Sequence, residues 1–161
     1  MTEPIKELEI KGKDIEAKGS FAFSRKAKEF DGKDEEGNKT EGLNKIYNGL
    51  LQRKTESIID FWECAAAKEK SIRREHIEDA IEKIIEEQED TLPLLQGALD
   101  VLDNSGFFKQ QIANFWLNVS QGYKAADKED REKMKASAGL LKGMREAVVS
   151  GEEPPEDEET A

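Results

Sequence analysis

Apolar residues recur at helical spacing along most of this chain, and the exception lies at its start. Ile5, Leu8 and Ile10, then Ile15 and Ala17, flank Lys11-Gly12-Lys13 in two short stretches that predict a β-hairpin around a glycine turn. So small a hairpin is marginal in water by itself, so it is expected to lean on the helices that follow. Ser20 stands where an N-cap belongs, ahead of Phe21, Phe23, Ala27 and Phe30, and Asp31-Gly32 closes that short helix. Residues 32–42 contain Gly32, Gly37 and Gly42 and almost nothing apolar, and read as a polar, mobile loop.

Leu43, Ile46, Tyr47, Leu50 and Leu51 then fall on one helical face. The next helix carries Ile58, Ile59, Phe61, Trp62, Ala65 and Ala66 around much of its circumference, which predicts a central position with Phe61 and Trp62 contributing most. Ile72 and Ile77 are spaced as a hydrophobic staple. They open an amphipathic helix with Ala80, Ile81, Ile84 and Ile85 opposite Glu78, Asp79, Glu82, Glu86 and Glu87. Pro93 begins a helix through Leu94, Leu95, Ala98, Leu99 and Leu102, which Asp103-Asn104-Ser105-Gly106 ends. Phe107, Phe108, Ile112, Phe115, Trp116 and Val119 follow as an aromatic stripe. Beyond Gln121 the chain turns to charge and alanine, and Met134, Ala138, Leu141, Met144 and Val148 predict a helix with less to bury. The expected fold is mainly α (α+β), a hairpin packed on a bundle of about six helices. Its core is built from the helices at 43–51, 58–66, 77–85 and 94–102. Residues 1–120 are read as one domain, 121–149 as a helical extension and 150–161 as a disordered acidic tail.

Charge narrows the function classes. The chain has 161 residues with 25 Lys and Arg against 36 Asp and Glu, a net charge of −11. Six of the acids (Glu152, Glu153, Glu156, Asp157, Glu158, Glu159) lie in the last stretch with no cation. A net negative body repels phosphate backbones, and no basic cluster interleaved with exposed aromatics offsets this, so no nucleic-acid partner is expected. No apolar run approaches the ~20 residues that a bilayer crossing needs and no signal peptide is spelled, so a cytoplasmic, non-membrane protein is expected. A single cysteine, Cys64, makes no internal disulfide.

Candidate chemistry is sparse. His76 is the only histidine, and Cys64 sits among Trp62, Ala65 and Ala66 on an apolar face where thiols act as small hydrophobes. A ferritin-type Glu-x-x-His needs an acid where Arg73 stands, so no metal is expected. Glu78, Glu82 and Glu86 fit the solvated face of a surface helix, since catalytic acids need burial to shift their pKa. No catalytic residue and no cofactor are assigned. Phe107, Phe108, Phe115 and Trp116 carry two readings. Helical spacing favours the core. The turn ahead of Phe107 also leaves them as an aromatic anchor for another protein, and they are the candidate partner-binding residues.

In order along the chain come the Ile/Leu hairpin around Lys11-Gly12-Lys13, Phe21-x-Phe23-x-Arg25, and Gly42-Leu43-Asn44-x-Ile46-Tyr47-x-x-Leu50. Then follow Ile58/Ile59-Asp60-Phe61-x-x-Cys64-Ala65-x-Ala67, Ile77-Glu78-Asp79-Ala80-Ile81, and a leucine helix ending at Ser105-Gly106-Phe107-Phe108. This series resembles the tail assembly chaperones of long-tailed bacteriophages of Gram-positive bacteria, over roughly residues 5–118. The resemblance implies a protein of the host cytoplasm, absent from the mature virion, that holds the tape measure protein soluble and helps recruit tail tube (major tail) subunits. It also implies that a longer frameshifted product is often made. Self-association counts among the contacts it allows, and the acidic terminus is expected to be a solubilising tail, the alternatives being that it prevents such association or competes for basic client segments. Residues 119–161 lie outside the resemblance.

Two other classes stay open on the residues alone. One is an acidic helical regulatory or inhibitor protein acting on a host protein or mimicking nucleic acid. The other is an enzyme built around His76 or Cys64.

Overall fold

A computed structural model of the chain describes residues 3–33, 39–125 and 128–155. Strands β1 (Glu7–Ile10) and β2 (Lys13–Glu16) pair antiparallel with Leu8 opposite Ile15 and Ile10 opposite Lys13. Lys11 and Gly12 both take positive φ, 53° and 77°, as a two-residue hairpin turn that follows the strand twist requires. Leu8, Ile10, Ile15 and Ala17 are buried, so the alternation does set one face inward. The hairpin leans on the helices as its size demands. Lys13 meets Glu69 at 3.1 Å, Lys11 donates to the Ser71 carbonyl, and the Ile5 N–H donates to Pro93.

Seven helices are found among the described residues: α1 (Phe21–Ala27), α2 (Gly42–Leu51), α3 (Thr55–Ala65), α4 (Arg74–Gln88), α5 (Leu92–Asn104), α6 (Lys109–Ala125) and α7 (Lys128–Ser150). Ser20 caps α1 as its position suggested, its hydroxyl accepting from the Phe23 N–H at 3.0 Å. In α4, Arg73 is the N-cap, which puts Ile72 at N′ and Ile77 at N4, the staple positions read from the sequence. Pro93 falls in the first turn of α5, where its missing N–H costs no hydrogen bond. Phe23, Tyr47, Phe61, Trp62 and Phe108 are fully enclosed, and α3 lies at the centre with contacts to α1, α2, α4 and α5.

The segment read as a loop over 32–42 departs from that reading. Gly32–Lys33 (β3) and Lys39–Thr40 (β4) form a second small antiparallel pair, with Gly32 opposite Thr40. Its anchor is local and polar: the Asp31 carboxylate accepts the Gly42 N–H at 2.6 Å, and a Cβ on Gly42 would collide with the Ala27 carbonyl. Side chain to backbone bonding substitutes here for the apolar residues whose lack suggested a loop. Residues 34–38 of that segment lie outside the described residues.

Helix α7 returns to the same core. Val148 is completely buried, Gln96 on α5 donates to its carbonyl at 3.0 Å, and Arg145 bonds Asp103 at 3.0 Å. Of the acidic terminus, residues 156–161 lie outside the described residues; before them, Arg53 donates to the Glu152 carbonyl.

Candidate protein-binding face

The face is organised by the aromatic run of α6 and its approach. Ser105 turns the chain out of α5: its carbonyl accepts from Phe108 and Lys109, and its hydroxyl from Phe107, which starts α6 with two adjacent rings. Phe108 points inward, 4.7 Å from the Phe23 ring, and has no exposed surface. Phe107 turns outward over Gly19, where a Cβ would strike its ring, and meets Phe21 edge-on at 5.3 Å. Phe21 is 74% exposed, the most open of the large apolar side chains among the described residues. One helical repeat on, Phe115 is buried edge-on against Tyr47, and Trp116 is half-buried.

Phe108 and Phe115 floor two adjoining clefts. The first, about 520 Å³, is lined by Phe23, Ala27, Leu43 and Phe108, with Gln111 and Asn114 of α6 on one wall. The second, about 410 Å³, continues past Asn44, Phe115, Asn118 and Val119; Lys39 and Glu41 of the β4 segment border both. A groove with an apolar floor and amide-bearing walls therefore runs between α6 and the β3–β4 pair.

Behind it a partly buried polar chain ties four helices together. The Trp116 N–H (α6) donates to the Tyr47 hydroxyl (α2) at 3.1 Å, and that hydroxyl donates to Asp103 (α5) at 2.7 Å. Arg145 (α7) closes the chain on the other Asp103 oxygen. Burial, reinforced by the Asp103 hydrogen bond, pushes the Tyr47 phenol above its ordinary range. Sequence patterning read Tyr47 as a core residue and Asp103 as a turn former; helical spacing carries no signal for a cross-helix bond between them.

The residues considered for catalysis have other occupations. The His76 ring is the third residue of α4, and its Nδ1 accepts the Arg73 N–H at 3.0 Å, the return half of a capping box. Cys64 is buried, and desolvation, followed by the Glu63 and Asp60 charges, pushes its thiol well up, away from thiolate chemistry. Glu78 lies 3.6 Å from Arg74, while Glu82 and Glu86 are exposed. Not foreseen was Arg74, whose Nη1 joins Asp60 at 2.8 Å and Glu63 at 2.7 Å across the α3–α4 contact. Among the described residues no three His, Cys, Asp or Glu side chains gather as a metal site, and no helix is long and apolar enough to cross a membrane.

Fold and face together define a helical bundle that presents aromatic and apolar contact area beside a groove. The family of phage tail assembly chaperone proteins matches residues 7–116. The chain belongs to that family, and the match spans the hairpin through Trp116 of α6. No curated protein and no solved structure matches it.

Proposed function

We propose that this chaperone binds the tape measure protein during tail morphogenesis, keeps it soluble and helps recruit tail tube subunits, acting in the host cytoplasm without catalysis and without entering the virion. The groove between α6 and the β3–β4 pair, with Phe108 and Phe115 beneath it, is the observation that carries this reading. Apolar contact framed by hydrogen-bonding walls suits a polypeptide client. Phe107 with Phe21 supplies an outward anchor, Trp116 opens onto a separate cleft beside Lys142 and Arg145 of α7, and Phe108 and Phe115 act from below by fixing the groove floor. A non-catalytic role agrees with His76 serving as a cap and Cys64 as core.

Co-expression with the tape measure protein of the same phage tests the proposal. Retention of that protein in the soluble fraction, with co-purification, is the expected result. An unchanged insoluble tape measure protein with no co-purification would count against it.

A further inference from the structure

The two segments that meet at Phe21 and Phe107 carry no carboxylate. Residues 17–28 bring Lys18, Arg25, Lys26 and Lys28, and residues 104–119 bring Lys109, in a chain of net charge −11. Lys26 is held by Glu29 at 2.8 Å and Glu63 at 3.4 Å. Lys18, Arg25, Lys28 and Lys109 are exposed and make no ion pair among the described residues. Of the acids at the rim, Glu29 is engaged with Lys26 and Asp31 with the Gly42 N–H, while Glu41 borders the groove. Arg25 and Lys28 follow Phe21 by four and seven residues and so stand on its side of the chain, whereas Lys18 opens toward Asp14, Glu16 and Glu69, and Lys109 toward Asp103 and Glu146.

We propose that this face of α1 and the start of α6 docks an acidic segment of the client polypeptide, with carboxylates toward Arg25 and Lys28 and a bulky apolar side chain against Phe21 and Phe107. The inference rests on the chaperone reading above and names the chemistry of the segment held. Opposite charge at the rim raises the rate of encounter and suppresses wrong registers, while the ring pair supplies the desolvated anchor. A nucleic acid would meet the same cations, but its dense phosphate charge is repelled by the rest of the molecule, which favours a polypeptide.

The test uses the full chain and the tape measure protein of the same phage, both whole and as overlapping immobilised peptides. Phe21→Ala and the double variant Arg25→Glu/Lys28→Glu alter exposed side chains and are expected to melt like the parent. Retained peptides should be acidic with a large apolar residue. Their affinity should fall about tenfold in each variant, and should also fall between ~0.05 and ~0.5 M salt as screening shortens. If the whole tape measure protein is held but both variants bind like the parent, or the retained peptides are basic or uncharged, the acidic-segment assignment is overturned and the chaperone reading stands. If the whole protein is not held, both fall. Displacement of the peptides by single-stranded DNA at equal affinity would reassign the face to nucleic acid and overturn the proposal.

Discussion

The Tyr47 hydroxyl on α2 donates to the Asp103 carboxylate on α5 at 2.7 Å, and through it α6 and α7 are fastened to the core. Asp103 is nearly enclosed, its side chain 8% exposed, so each bond to it replaces water that has been excluded. Tyr47→Phe removes one partner from Asp103 and the acceptor from the Trp116 N–H. A loss of ~1–3 kcal/mol is expected, read as a lower urea midpoint at constant m. An unchanged midpoint would mean that the network adds nothing to stability.

Trp62 has no exposed surface and stacks edge-on with Phe61 at 5.7 Å. Trp62→Ala should cost ~3–5 kcal/mol by opening a cavity at the centre of the bundle. Its Nε1 is buried without an acceptor among the described residues, so Trp62→Phe should cost less than the alanine variant. Equal losses in the two variants, measured by chemical denaturation, would contradict this.

Asp60, on α3, has its carboxyl pKa raised by desolvation, against the pull of the Arg74 hydrogen bond. The folded chain therefore takes up this proton at a higher pH than the unfolded chain, whose value is near the ordinary 3.8. The sign follows from linkage: the Asp60 contribution to stability grows as pH falls through the raised value and levels off below the ordinary one. The stability difference between the parent and Asp60→Asn should thus move in the parent's favour from about pH 7 toward about pH 4. A difference that stays constant with pH would refute the raised value.

His76→Ala deletes the acceptor for the Arg73 N–H and should cost ~0.5–2 kcal/mol. Cys64→Ala removes a buried sulfur and should cost stability as well. Neither change touches the α1–α6 face, so client retention should equal that of the parent once each variant is shown to be folded. Loss of retention in a folded variant would point to chemistry at these residues.

Much of the bundle was legible because burial imposes a period. Leu43 through Leu51 and Leu94 through Leu102 present stripes that only a helix can bury, and Ser20, Ile72, Ile77 and Pro93 mark boundaries by local chemistry. The β3–β4 pair was not legible: its anchor is one Asp31 carboxylate on the Gly42 N–H, and it offers no alternating apolar positions. Of the four aromatics singled out, the sequence supplied the cluster but not the direction of each ring. Adjacent Phe107 and Phe108 diverge because the turn at Ser105 aims one at Gly19 and the other at Phe23. The role of Phe21 depends on that meeting across 86 residues of chain and has no local signal. Likewise the thin stripe of α7 gave no hint that Arg145 would complete a network at Asp103.

The central claim is that the protein works by stoichiometric contact with a client. Light scattering of the tape measure protein as it aggregates, titrated with this chaperone and without nucleotide, measures that directly. The account predicts suppression that rises in proportion to the chaperone and saturates at a fixed molar ratio. Suppression by traces of chaperone far below that ratio, or none at any ratio, would contradict it.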